Sequence, residues 1–109
     1  MKLNFFHKDL FKGSNQDYED LINYYSKEIE LNPGSEDLLF LRGFLKGVLG
    51  EFENAIEDFT EVIKLNSMND KAFYWRANAK GCLENYVSAI DDFSEVIELN
   101  LEDENAFFY

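Results

Sequence analysis

The apolar positions of residues 55–66 follow the spacing of an amphipathic helix. They recur three or four residues apart and fall on one side, whereas the charged residues fall largely on the other. The apolar set is Ala55, Ile56, Phe59, Val62, Ile63 and Leu65. Residues 36–49 predict a second, more apolar helix, and breaks are expected at Gly50 and at residues 66–69. The pattern therefore predicts two antiparallel helices joined by a short turn.

This hairpin pattern recurs along the chain with a period of 34 residues. Residues 55–66 read AIEDFTEVIKLN, and residues 89–100 read AIDDFSEVIELN. Ile22, Ile56 and Ile90 keep the same register across three copies. A period of this length indicates a solenoid, because one hairpin cannot bury its apolar face without stacking on a neighbour. We therefore predict an all-α solenoid of antiparallel helix hairpins, with about three repeats plus the start of a further helix.

The whole chain is predicted to be one array, residues 1–109. A divergent N-terminal repeat covers 1–35, two further repeats cover 36–69 and 70–103, and a truncated first helix of another repeat covers 104–109. Two Arg–Asp pairs, Arg42 with Asp58 and Arg76 with Asp92, have the same separation. We expect each pair to connect the two helices of its own hairpin. The first repeat has Lys8 and Tyr24 at these positions and cannot form the same pair.

The repeat resembles the tetratricopeptide repeat (TPR) family over essentially the whole chain. The matching segments are LFLRGFLK followed by AIEDF, and FYWRANAK followed by AIDDF, and they look most like the bacterial variant. Ala77 and Glu84 replace two family glycines, and Ser67 and Leu101 replace the proline. The resemblance implies that the first helix of each hairpin lines a concave groove in which family members bind extended peptides or a partner's helix.

The resemblance and helical periodicity together give the positions expected to line this groove. They are Phe40, Leu41, Phe44, Val48, Lys71, Tyr74, Trp75, Asn78, Cys82 and Tyr109, with Asp37, Phe6, His7, Leu10, Asn105 and Phe108 extending the set. An alternative stays open, because Phe40, Leu41 and Phe44 have a helical spacing that also suits core residues. One branch of the family clamps a terminal carboxylate with polar groove residues. Asn78 matches one of those positions and Lys71 could assist. Phe40, Phe44 and Tyr74 occupy the others, which disfavours a clamp.

Composition and charge exclude several classes of function. The net charge of −12 opposes binding to nucleic acid or to an anionic membrane surface. The single cysteine excludes an internal disulfide, and a reducing cytoplasm is the expected location. His7 is the only histidine, and the clustered carboxylates follow the solvent side of a helix, so no catalytic or metal-binding constellation is evident. We predict no enzyme activity and no cofactor.

The leading functional hypothesis is a protein–protein interaction scaffold. It would bind a hydrophobic or amphipathic peptide segment in an aromatic groove. The alternative is self-association into a homo-oligomer through terminal aromatic surfaces, Phe5 and Phe6 or residues 107–109, since an uncapped solenoid end is adhesive.

Overall fold

The chain folds into helical hairpins, as the computed structural model shows. The structure describes the backbone of residues 13–106 and the side chains of residues 13–102. This part of the chain contains five helices and no strand: α1 (Asn15–Leu31), α2 (Glu36–Val48), α3 (Phe52–Leu65), α4 (Asp70–Cys82) and α5 (Tyr86–Ala106). The all-α prediction is confirmed. The predicted first helix of the N-terminal repeat lies outside the described residues.

Short polar side chains start the helices at the repeat boundaries. The Ser35 hydroxyl accepts a hydrogen bond from the Leu38 amide at the start of α2, and the Asn69 side chain accepts one from the Ala72 amide at the start of α4. Such caps satisfy amide groups that have no partner within the helix. The Glu36 carboxylate also accepts hydrogen bonds from Asn66 and Asn69. This carboxylate therefore ties the start of one repeat to the start of the next.

Consecutive helices pack against one another to form a continuous core. Helices α2 and α3 form one hairpin, α4 and α5 form the next, and α3 packs on α4 between them. Phe59 and Val62 of α3 are fully buried at this junction. Gly43 lets α2 approach α3 closely, since a Cβ atom at this position would lie 3.0 Å from the Cβ of Asp58. The hairpins therefore stack as the 34-residue period predicts.

A buried carboxylate joins the two helices of each complete hairpin. Nε and Nη2 of Arg42 donate to the two Asp58 oxygens at 2.9 and 2.7 Å, and Lys46 lies 3.1 Å from the same carboxylate. Arg76 makes the same bidentate contact with Asp92 at 2.9 and 2.7 Å. The predicted Arg–Asp pairs are confirmed. Each carboxylate also has a lysine partner, since Lys80 lies 2.8 Å from Asp92.

The same arginines also connect neighbouring repeats. Nη1 of Arg42 donates to the hydroxyl of Ser26 in α1, and Nη1 of Arg76 donates to the hydroxyl of Thr60 in α3, both at 3.2 Å. Ser26 and Thr60 are 34 residues apart, so one hydroxyl position in the second helix of each repeat receives the next repeat's arginine. A guanidinium group suits this role, because it can donate two hydrogen bonds to a carboxylate and a further one to a hydroxyl.

Helix α5 differs from the prediction at its C-terminal end. The sequence predicts a break before a further helix at 104–109, but α5 continues without interruption to Ala106. Leu101 takes the place of Pro33 in the first repeat, and Glu102 follows it. Leu and Glu favour a helix, whereas proline would stop one. The second helix of this hairpin is consequently 21 residues long, against 14 for α3.

The turn inside each of the two complete hairpins has a left-handed backbone residue. Gly50 has φ +83° after α2, and Glu84, at the equivalent position after α4, has φ +65°. Glycine adopts this conformation without the steric cost that a side chain brings. No helix in the described part of the chain is both long and apolar enough to cross a membrane.

Candidate functional site

The first helices of the two complete hairpins, α2 and α4, lie side by side and share an open cleft. The cleft has a volume of about 390 Å³ and is lined by Asp37, Phe40, Asn69, Asp70 and Lys71. Three of these residues, Asp37, Phe40 and Lys71, were expected to line the groove from the sequence. The cleft lies at the N-terminal ends of both helices, where the capped first turns bring their polar side chains together.

Asn69 and Asp70 were missing from the sequence-based set of groove positions. Asn69 caps α4, and Asp70 is the first residue of that helix. Periodicity counted from the apolar positions within the helix does not identify residues at its cap. The Asn69 cap itself was a recognisable signal, because asparagine favours the position that precedes a helix.

Aromatic rings continue from the cleft along α4. The Phe44 and Trp75 ring centres are 4.9 Å apart, and those of Tyr74 and Trp75 are 5.2 Å apart, both edge to face. Tyr74 also lies 5.9 Å from Phe93 of α5. Edge-to-face pairs are favourable beyond the apolar area that they bury. These contacts hold the rings of α2 and α4 in a fixed arrangement across the repeat boundary.

The expected groove residues differ widely in exposure. Leu41 and Tyr74 are 43% and 42% exposed, and Lys71 is also exposed. Three aromatic residues, Phe40, Phe44 and Trp75, are half-buried and pack against the core. Val48, Asn78 and Cys82 are buried. Tyr109 and the flanking positions Phe6, His7, Leu10, Asn105 and Phe108 lie outside the residues whose side chains are described.

Tyr74 is more exposed than its counterpart in the preceding repeat. Phe40 occupies the equivalent position and packs against Ala72 and Val62, which α4 and α3 contribute. Helix α4 therefore covers Phe40, and the described chain places no corresponding helix over Tyr74. The exposure of Tyr74 reflects its position in the last hairpin.

Asn78 is already engaged within its own helix. Its side-chain amide donates to the Tyr74 carbonyl oxygen at 2.9 Å, and the residue is 4% exposed. Asn78 is the groove residue that best matches the carboxylate clamp found in part of the TPR family. Of the described charged residues that line the cleft, two are acidic and one is basic.

No group of three or more metal-binding side chains occurs among the described residues. The exposed acidic side chains of α3 and α5 follow the outer sides of their helices, as in Glu57, Glu61, Asp91 and Glu95.

Comparison with known proteins gives information about the fold. No family model matches the chain, and no curated protein matches it. Among solved structures, the second TPR of Spaghetti (RPAP3), bound to the HSP90 peptide SRMEEVD, is similar at 29% sequence identity with a TM-score of 0.72. The likeness covers 75% of this chain and 76% of that one. The narrower resemblance to bacterial TPR proteins stays a prediction. The repeat period, the stacked hairpins and this likeness together identify the chain as a TPR-like array of helical hairpins.

Proposed function

We propose that the chain is a non-catalytic scaffold that binds a hydrophobic or amphipathic peptide segment along α2 and α4. The observation that carries the proposal is the cleft between these helices, continued by exposed Leu41 and Tyr74 and by the aromatic contacts around Trp75. Large apolar and aromatic side chains next to a few polar groups are typical of surfaces that anchor peptides. The structural neighbour was solved with a peptide bound, which supports the same role here.

The charge of the surface indicates which peptides would bind. The chain carries 22 acidic and 10 basic residues, and Asp37 and Asp70 both border the cleft. A peptide with Lys or Arg beside its apolar residues would be attracted to this surface, whereas an acidic peptide would be repelled. We propose a basic amphipathic segment as the ligand class. We also propose a cytoplasmic location, because the chain has a single cysteine and can form no internal disulfide.

Matched charge substitutions test the proposal. Leu41→Glu and Lys71→Glu alter exposed residues of the proposed groove, while Leu65→Glu and Lys64→Glu make the same changes on exposed positions of α3. Each variant would be titrated with a panel of amphipathic peptides that differ only in basic or acidic flanking residues. Because an anchor residue typically contributes a tenfold or larger effect, we expect Leu41→Glu to weaken binding of the basic peptides by at least about tenfold. The α3 variants should bind like the wild type.

Lys71→Glu tests whether the charge of the cleft selects basic ligands. If the cleft selects basic ligands, this variant should bind the basic peptides more tightly than the wild type does, because it replaces the one cation among the described cleft residues with an acid. Equal losses for Leu41→Glu and Leu65→Glu would contradict the proposed location. The absence of binding by any peptide would contradict the proposed function.

A further inference from the structure

A second surface lies at the other side of the last hairpin, on α5. We call Ile90, Ser94 and Ile97 the α5 end face. Ile90 and Ile97 are both 61% exposed, and Ser94 is exposed. Val87 and Leu101 extend the same side of the helix and are 77% and 52% exposed. Spacings of three and four residues between these positions place them in one stripe along α5.

The equivalent stripe on α3 is an internal interface. Ile56, Thr60 and Ile63 lie 34 residues before the members of the α5 end face. Ile56 and Ile63 pack against core residues that include Ala79 and Ala72 of α4. Thr60 accepts the hydrogen bond from Arg76 at 3.2 Å. The α5 end face therefore repeats a surface that, one repeat earlier, is covered by the first helix of the following hairpin.

The Ser94 hydroxyl is oriented like the two hydroxyls that accept a hydrogen bond from an arginine. Its hydroxyl donates to the Ile90 carbonyl oxygen at 2.9 Å, as the Ser26 hydroxyl does to Ile22 and the Thr60 hydroxyl to Ile56. In the first two repeats the hydroxyl oxygen also accepts a hydrogen bond from an arginine of the next repeat. A helix that covered the α5 end face in this register would place its own basic residue at Ser94.

The charge of α5 narrows the choice of partner. The helix contains seven acidic residues and no Lys or Arg. Two copies of α5 packed on each other would bring these acidic helices together, which like-charge repulsion opposes. The N-terminal segment, residues 1–12, has the opposite net charge. It reads MKLNFFHKDLFK and contains three lysines and one aspartate.

The N-terminal segment also has the repeat register of α2 and α4. Lys8 aligns with Arg42 and Arg76, and Phe5 aligns with Leu39 and Phe73. In the second and third repeats the aligned arginine pairs with an aspartate of its own hairpin, but the first repeat has Tyr24 there. The sequence of the first repeat thus has no carboxylate at the position that pairs with the aligned arginine in the other two repeats.

We infer that the α5 end face binds residues 1–12 of a second copy of the chain, so that copies associate head to tail. In this arrangement Lys8 of one copy lies at Ser94 of the other, and a basic segment packs on a helix whose exposed charged residues are acidic. The interface continues the stacking of α3 on α4 across two molecules. It uses neither Leu41 nor Lys71, so the variants that test peptide binding leave this interface unchanged.

Complementary variants test the inference by light scattering after size exclusion. Ile90→Glu/Ile97→Glu disables the end face, and Lys8→Glu/Lys12→Glu disables the N-terminal segment. The wild-type chain should exceed its monomer mass of 12.8 kDa as concentration rises through roughly 10 µM to 1 mM, and less so at high salt. Each variant alone should stay monomeric. Their equimolar mixture should form a dimer and nothing larger, since one intact end face meets one intact segment.

Three results would overturn the inference. The first is a wild-type chain that stays monomeric across the concentration range, as it would if another molecule covers the face. The second is association of Lys8→Glu/Lys12→Glu at wild-type strength, as in a symmetric contact between two α5 helices. The third is a mixture that remains monomeric although both variants keep the wild-type helical content. Leu65→Glu is the matched control and should associate like the wild type.

Discussion

At the scale of single residues, the two complete repeats act as internal controls for each other. Gly50 and Gly81 both have open space where a Cβ atom would lie, but only Gly50 has a positive φ. Because neither substitution creates a clash, alanine at the two positions tests the effect of backbone conformation on stability. Gly50→Ala should lower the free energy of unfolding by about 1 kcal/mol, because it forces a side chain into the left-handed region.

Gly81→Ala is the matched control and should act in the opposite direction. Gly81 is in α4, where alanine is favoured over glycine by up to about 1 kcal/mol. Chemical denaturation of both variants measures the difference. Equal effects of the two substitutions would contradict the left-handed turn at Gly50.

The buried carboxylate of Asp92 carries a pH-dependent part of the stability. Burial by itself would raise the pKa of Asp92, but hydrogen bonds and positive charge from Arg76 and Lys80 outweigh it and hold the pKa below its ordinary value. A carboxyl group with a lowered pKa stabilises the fold above its unfolded pKa, and this contribution is lost as the pH falls through its folded pKa. The contribution should therefore be complete at neutral pH and disappear in acid.

Asp92→Asn tests this directly. At pH 7 the substitution should cost about 3 kcal/mol, because two partly buried cations lose their charged partner. The cost should stay constant down to about pH 5 and then shrink below about pH 4, as the wild-type carboxylate becomes protonated. Urea denaturation across this range measures the difference between the two proteins. A cost that grows as the pH falls would contradict the assigned direction of the pKa shift.

At the scale of helices, Leu101 is the position at which the continuation of α5 can be tested. Pro33, Ser67 and Leu101 are equivalent, and only after Leu101 does the helix continue. Leu101→Pro should end α5 near Asn100 and remove the helical signal of about six residues in circular dichroism. Leu101→Ala is the control and should keep it. An unchanged spectrum for Leu101→Pro would show that α5 already ends before this position.

The helices could be predicted from the sequence largely because the same helical spacing of apolar residues recurs in each repeat. The Arg42–Asp58 and Arg76–Asp92 contacts followed from an equal spacing within each repeat. The continuation of α5 did not, because it depends on the weak local preference of a few residues after Asn100. The exposure of the groove residues could not be predicted from the hydrophobic pattern either. Leu41 and Phe44 are both apolar at helical spacing, and only the packing of neighbouring helices makes Leu41 the more exposed of the two.

At the scale of the whole molecule, the acidic surface should set ligand preference. The peptide SRMEEVD, bound by the structurally similar TPR domain, contains three acidic residues and one arginine. Here the cleft contains two aspartates, and Asn78 is buried and hydrogen-bonded within α4. We therefore expect SRMEEVD to bind this chain at least about tenfold more weakly than a basic amphipathic peptide does. Competition between the two peptides measures the ratio, and preferential binding of SRMEEVD would contradict the proposed ligand class.

The most direct test of the proposed scaffold function uses Trp75, the one tryptophan of the chain, which contacts Phe44 and Tyr74 in the proposed groove. A basic amphipathic peptide bound along α2 and α4 should change the Trp75 emission to saturation. The change should require at least about tenfold more peptide in Leu41→Glu and be unaltered in Leu65→Glu. Emission that stays constant with every peptide of the panel, or a response that is equal in both variants, would contradict peptide binding in this groove.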